Sequence, residues 1–218
     1  MDRLVSRAYK VCDWFSKFVI LNLLWLLFVL IGLVIFGIMP ATVAVFTVVR
    51  KWIVSDTEIP IFKTFLKTYK KEFFHSNILG LCIAAVSLFL LYDLKLVLSI
   101  GGTIQTILGV PLFIIIGFYL ITLLYLLPVY VHFDLKFQHY FKYAFYLSIL
   151  NIHTTILIVI MLILLGAILS FLPGFIPFIA VSIFSFIVMY GAKIAFQRTE
   201  MKQQKYHTQN ESVSKTNI

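Results

Sequence analysis

The chain has 218 residues, of which 61% are hydrophobic and 12% are charged, with a formal net charge of +9. Water-soluble domains contain about 45–50% apolar and about 25% charged residues, so this composition excludes a soluble enzyme, a secreted disulfide scaffold and a disordered regulator. The Lys and Arg residues lie beside long apolar segments, which is typical of the positive-inside pattern of a membrane protein rather than of a nucleic-acid-binding protein.

Five apolar blocks follow one another along the chain, at residues 18–49, 78–98, 104–131, 144–172 and 175–196. Each of the last four is long enough for one membrane span of about 20 residues. The first block would form a helix of about 48 Å, well beyond the hydrocarbon core of about 30 Å. Pro40, with Gly32 and Gly37 before it, can end one helix and begin another. The block is therefore either one long tilted helix or a hairpin that turns near Pro40.

The distribution of charge favours the hairpin. With it, the chain has six membrane segments, and all of the 18 Lys and Arg residues except Lys95 lie on one side. A single crossing would strand the four N-terminal cations on the opposite side, against the positive-inside rule. The sequence thus predicts an all-α, polytopic membrane helical bundle with both termini cytoplasmic. The second leg of the hairpin, residues 40–53, is short for a complete crossing.

Residues 60–75 have the pattern of a basic amphipathic helix. Apolar side chains recur at helical spacing on one side, and the other side carries Lys63, Lys67, Lys70 and Lys71,. Such a helix is suited to lying flat in the cytoplasmic interface. It is either a simple connector between spans or a contact surface for a partner or for anionic lipid. We name these four residues the lysine face.

No repeat or linker divides the apolar part of the chain, so residues 1–200 are predicted to form a single integral membrane domain. Residues 201–218 are polar, and we expect them to form a disordered cytoplasmic tail,.

Residues able to carry chemistry are few. His132 and Asp134 are two residues apart, so on a helix their side chains diverge and cannot share a metal ion. The sequence has no P-loop, HExxH, GxSxG or GxGxxG motif,. We therefore expect a protein that is not an enzyme, with no catalytic residue, no metal site and no cofactor.

The stretch from residue 21 to residue 80 resembles the YesL-like family of Gram-positive bacterial membrane proteins, a domain of unknown function. The features that carry the resemblance are Asn22 and Trp25, the turn at residues 37–42, Arg50-Lys51-Trp52 and residues 62–77, then Leu127-Pro128-Val129-Tyr130 and residues 133–142. It spans most of residues 1–200. The resemblance implies an integral membrane protein, and it associates the chain with carbohydrate uptake, because members are often encoded beside sugar transporters, sensor kinases or glycan-degrading enzymes. It supplies no site residues.

Two functions follow as hypotheses. The first is a non-catalytic accessory of a carbohydrate-uptake transporter or a membrane sensor, whose partners are the lipid bilayer and a transporter permease or sensor kinase, with no nucleic acid. The alternative is a small transporter or flippase that acts as an oligomer. The sequence favours the accessory, because a transporter usually has inverted repeats or charged residues near the bilayer midplane. The oligomeric state stays open.

Overall fold

A computed structural model of the chain describes residues 2–54 and 58–216, with side chains for residues 9–54 and 58–201. The described residues contain no strand, and their helices are α1 (Asp2–Ile31), α2 (Ile35–Val54), α3 (Ile61–Ile100), α4 (Gly102–His132), α5 (Phe137–Leu150), α6 (Ile152–Phe171) and α7 (Ile176–Thr216), with a 3-10 turn at Pro173–Phe175. All of these helices except α5 are long and apolar enough to cross a membrane, six in the described part of the chain. The predicted all-α bundle of six membrane segments is confirmed.

The first two segments form the predicted hairpin, but the turn lies at residues 32–34 and not near Pro40. The backbone reverses through Leu33 and Val34, whose φ angles of 55° and 64° are left-handed. The two legs meet closely here, since a Cβ atom on Gly32 would collide with the backbone of Gly37. The second leg is the whole of α2, with 20 residues, so the short leg at residues 40–53 was also a wrong prediction.

Pro40 lies inside α2 because another helix compensates for its missing N–H group. A proline cannot donate to the carbonyl four residues before it, which here belongs to Phe36. The side-chain amide of Asn77 in α3 donates to that carbonyl over 3.0 Å, and also to the carbonyl of Phe73 over 2.8 Å. The proline therefore joins α2 to α3 instead of breaking the helix.

Helix α2 is the centre of the bundle. It packs against α1, α3, α4 and α7. Its buried residues are mostly small or β-branched, which lets four neighbours approach one helix, and they include Ala41, Val43, Ala44, Val45, Val48 and Val49,. The indole of Trp25 on α1 donates to the hydroxyl of Thr42 over 3.0 Å. At the far end of α2, Trp52 packs edge-on against Trp14 of α1.

Asn22 fastens α1 to α7. Its side-chain N–H donates to the carbonyl of Pro177 over 2.7 Å, and its oxygen accepts from the backbone N–H groups of Val181 and Ser182 over 2.9 and 3.1 Å. In addition, the hydroxyl of Ser182 in α7 donates to the carbonyl of Phe18 in α1 over 2.9 Å. A buried amide with this many partners sets the register between the first and last spans.

The sequence predicts a separate interfacial helix at residues 60–75. In the structure this segment instead forms the first turns of α3. With 40 residues, α3 is about 60 Å long, so about half of it extends past the hydrocarbon core,. Its beginning stays with the bundle because Phe65 and Tyr69 are buried, both against Phe28 of α1. The packed apolar face keeps this segment in line with the rest of α3. The amphipathic pattern alone predicts a helix that lies flat in the interface.

The apolar block at residues 144–172 is also divided, because α5 ends at Leu150 and α6 begins at Ile152. Between them, Asn151 has φ −118° and ψ 43°, which is not helical. Its buried side chain donates to the hydroxyl of Thr199 in α7 over 3.2 Å. The break leaves α5 as a short helix ahead of the fifth span.

The distal halves of α3 and α4 form a hairpin with little contact to the bundle. Gly101 and Gly102 join them, with φ angles of 71° and 68° that suit glycine,. Large apolar side chains along both halves are exposed, as a lipid-facing surface requires. Polar contact between them is made by Tyr119, whose hydroxyl bonds to that of Ser87 over 2.8 Å.

Residues 201–218 are expected to be disordered, but α7 continues as a helix to Thr216, and residues 217–218 lie outside the described residues. The residues after the last apolar block read QRTEMKQQK, and Gln, Glu, Met, Lys and Arg are all good helix formers,. A helix already nucleated in the membrane extends through such residues at low cost. The domain boundary at residue 200 stays a prediction.

The contact between Pro40 and Asn77 gives a first testable prediction. Asn77→Ala should lower the free energy of unfolding by about 1 kcal/mol, because the carbonyl of Phe36 loses its donor. In the double variant with Pro40→Ala, residue 40 regains an N–H that can pair with that carbonyl. Unfolding of the purified protein by denaturant in detergent should therefore give an interaction energy of about 0.5–1 kcal/mol between the two substitutions. Strictly additive losses would contradict the assignment.

Candidate functional site

A cleft of about 1010 Å³ opens at the end of the bundle where α2 and α4 finish and α3 begins. We name it the basic cleft, because its lining includes five cations contributed by two helices, Arg50 and Lys51 from α2 and Lys63, Lys67 and Lys71 from α3. The opposite wall is formed by the end of α4 and its connection to α5, and contributes Tyr130, His132, Phe133, Asp134 and Tyr140. The cleft reaches Thr47 and Val43, one and two turns deeper in α2 than Arg50.

The lysine face and the basic cleft overlap but are not identical. All four lysines of the face are exposed. Lys63, Lys67 and Lys71 follow one another at intervals of four residues, which places them in a ladder along one side of α3, and all three line the cleft,. Lys70 is not part of the cleft lining. The predicted role of the four lysines in contacting a partner or lipid stays a prediction.

Arg50 is the innermost cation of the cleft. Its Nε donates to Nδ1 of His132 in α4 over 3.2 Å, and both side chains are half-buried. An imidazole nitrogen that accepts a hydrogen bond is unprotonated, so His132 carries its proton on Nε2. The His132 ring is held in turn against Phe133 and Phe196, with centroid distances of 4.7 and 4.8 Å. This arrangement fixes the guanidinium through one nitrogen and leaves two for a ligand.

A second polar contact crosses the cleft between α3 and α4. The hydroxyl of Tyr130 donates to a carboxylate oxygen of Glu72 over 2.8 Å. The other carboxylate oxygen of Glu72 lies 3.4 Å from Nζ of Lys71. The carboxylate of Glu72 is therefore already engaged by its own neighbours, and it neutralises only one of the five cations.

The connection between α4 and α5 is closed by Tyr140. Its hydroxyl accepts from the backbone N–H of Leu135 over 3.2 Å and donates to the carbonyl of Phe133 over 3.4 Å. The next turn of α5 places Tyr143 against Phe133, with ring centroids 4.9 Å apart. Burial raises the pKa of the Tyr143 phenol, and Glu200 adds to the effect, so this hydroxyl stays neutral. These contacts make the wall of the cleft a fixed surface.

The fully buried polar side chains that the structure describes are neutral. The buried polar side chains among the described residues are all Asn, Ser or Thr, namely Asn22, Thr64, Ser76, Ser148, Asn151, Thr154, Thr155, Ser182, Ser185 and Thr199. Within the same part of the chain, no three His, Cys, Asp or Glu side chains come together in a way that could hold a metal ion. The charged chemistry of the described residues is thus concentrated at the cleft end of the bundle.

Sequence reasoning missed most of the cleft. The sequence identifies Arg50 and Lys51 only as topology-setting charges and as features of the family resemblance, and His132 only as a residue excluded from a metal site. Arg50 and His132 are 82 residues apart, so no spacing rule connects them. The one available signal was that Arg50, His132 and the lysine ladder all fall at span ends on the same side of the bilayer.

Comparison with known proteins places these observations in a family. A model described as "Protein of unknown function, DUF624" matches residues 18–94, which include α2 and the cleft-lining turns of α3. The uncharacterized protein YteU of Bacillus subtilis (strain 168) is 39% identical over 189 residues, covering 86% of this chain and 84% of YteU. YesV of the same organism is 37% identical over 198 residues, covering 88% of this chain and 92% of YesV. YesL, also from B. subtilis, is 34% identical over 194 residues, covering 89% and 91%. No solved structure matches the chain.

Proposed function

The chain belongs to the DUF624, YesL-like family of proteins of unknown function, and from this premise we propose that it is a non-catalytic accessory of another membrane protein. The observation that carries the proposal is the lysine face. It lies on the first turns of α3, ahead of the long apolar stretch of that helix, and its four side chains are exposed. An exposed array of like charges on a rigid helix suits the recognition of an acidic surface, since it steers a partner and fixes its orientation.

The partner that we propose is a carbohydrate-transporter permease or a sensor kinase. This assignment is supported by the association with carbohydrate uptake that the family resemblance implies. The association concerns the biological process and assigns no mechanism. The fully buried polar side chains that the structure describes are all neutral, which favours the accessory over the small transporter or flippase, because ion-coupled transport usually uses buried charged groups inside the membrane,.

We further propose that the cleft end of the bundle faces the cytoplasm. The connections at the opposite end, residues 32–34, 101 and 172–175, contain no Lys or Arg. The cleft end contains the lysine face, both termini and the connection between α4 and α5. Short connections rich in Lys and Arg are retained in the cytoplasm during insertion.

This orientation predicts a labelling pattern for single cysteines in a background that lacks Cys12 and Cys82. In intact cells, Thr103→Cys and Gly174→Cys should react with a membrane-impermeant maleimide, because both positions are exposed at the end opposite the cleft. Lys70→Cys and Gln138→Cys should react only after permeabilisation. The reverse pattern would contradict the orientation, and a mixed pattern would contradict the antiparallel order of the spans.

The accessory role predicts a partner whose recovery depends on the lysine face. A tagged copy purified from its native host in mild detergent should bring down a permease or sensor kinase in stoichiometric amount. Charge reversal by Lys63→Glu, Lys67→Glu and Lys70→Glu should weaken that recovery by about tenfold or more, since three favourable charge contacts of up to about 1 kcal/mol each become repulsive.

A matched control carries the same change of charge at the same end of the bundle. It combines Lys10→Glu, Lys136→Glu and Lys142→Glu, all exposed and all outside α3, and it should leave recovery unchanged. Equal losses in the two triple variants would remove the role of the lysine face. Movement of a sugar or lipid across liposomes by the purified protein alone would establish the transporter alternative instead.

A further inference from the structure

We propose that the basic cleft is a binding site for a phosphate ester, held by Arg50 and the cations around it. This inference goes beyond the accessory role and does not depend on it. The accessory role is assigned to the lysine face of α3, and three of its four lysines, Lys63, Lys67 and Lys71, also line the cleft. Lys70 belongs only to the lysine face and Arg50 only to the cleft, so the two proposals can fail separately.

The lining of the cleft carries more positive than negative charge, with five Lys and Arg side chains against the two carboxylates of Glu72 and Asp134. Among the described residues, no carboxylate forms an ion pair with Arg50, Lys51, Lys63 or Lys67. Glu72 is occupied by Tyr130 and Lys71, as described above. Several unpaired cations around one concave space repel each other, and an anion with two negative charges relieves that repulsion.

Arg50 provides the directional element that a diffuse basic surface lacks. Its Nε is bound to His132, so the guanidinium is oriented before any ligand arrives. The two terminal nitrogens remain as a planar fork, which matches the spacing of two phosphate oxygens. Because Arg50 is half-buried, its contact with an anion is screened less by solvent and salt than that of an exposed lysine,.

The shape of the cleft favours a small phosphate ester over the side of an acidic protein. Its volume of about 1010 Å³ lies at the upper end of the range for small-molecule sites,. It continues past Arg50 to Thr47 and Val43, one and two turns into α2, a depth that a small molecule reaches more readily than the convex surface of a folded protein,. The walls also supply hydroxyl groups from Thr64 and Thr68, which can bond to the alcohol part of an ester,.

Two sources carry this chemistry, and the experiment separates them. The full-length protein is purified in a neutral detergent for titration with glycerol 3-phosphate, a water-soluble ester, by calorimetry. In parallel it is placed in nanodiscs of phosphatidylcholine with and without phosphatidylglycerol, and the thermal unfolding midpoint is measured. Binding of the soluble ester identifies a free metabolite, and a rise of the midpoint with phosphatidylglycerol alone identifies a lipid headgroup. Either result supports the site if it depends on Arg50.

That dependence is tested with variants of equal charge. Arg50→Gln should weaken the binding about tenfold or more, as expected for the loss of a charge-assisted hydrogen bond. Lys67→Gln, at an exposed position in the lysine ladder of α3, should also weaken the binding. This variant replaces Arg50→Gln in the test if Arg50→Gln does not fold. Lys70→Gln removes the same charge outside the cleft and should change the affinity less than about twofold.

Three outcomes would overturn the proposal. The first is the absence of binding by both probes, and the second is an equal effect of Lys67→Gln and Lys70→Gln, which would indicate general attraction to a basic surface. The third is tighter binding of an acidic peptide such as oligoglutamate at the same residues, which would assign the cleft to a protein partner. Loss of partner recovery on charge reversal of Lys70 alone, with phosphate binding intact, would leave this site standing.

Discussion

Backbone carbonyl and N–H groups inside a bilayer have no water to pair with, and this requirement governs how the helices of the protein meet. Pro40 leaves the carbonyl of Phe36 without its usual donor, and Asn77 of α3 supplies one. On the other side of the bundle, Asn22 bonds to backbone groups of α7. Both asparagines use side-chain amides to bind the backbone of a neighbouring span, which positions helices in a medium where apolar surface alone does not distinguish protein from lipid.

The central position of α2 connects this packing to the cleft. Because α2 touches four other spans, its C-terminal turn emerges in the middle of the cleft end rather than at its edge. Arg50 and Lys51 are carried on that turn, so they lie between α3 and α4 instead of facing lipid. The position of the cations is thus a result of the same small and β-branched residues that let α2 be surrounded.

Hydropathy and charge were enough to predict the number of spans and the hairpin, since both follow from the cost of placing polar groups in hydrocarbon. Contacts between distant residues were not predictable. Pro40 was taken for a helix breaker because Asn77, its compensating partner, lies on another helix. Residues 60–75 are predicted to lie flat because the hydrophobic periodicity is the same whether the apolar face, which includes Phe65, contacts lipid or α1. The lysine ladder could be read from the spacing of residues, but its opposition to Arg50 and His132 depends on tertiary packing.

The continuous course of α3 gives the molecule a mechanical property. One end of this rod is surrounded by acyl chains and the other carries Lys63, Lys67 and Lys71 into the wall of the cleft, with no hinge between them. Long helices adjust to a thinner or thicker bilayer by changing tilt. A change of tilt of about 5° displaces one end of a rod of about 60 Å relative to the other by about 5 Å. The spacing of the cations is therefore coupled to the thickness of the bilayer.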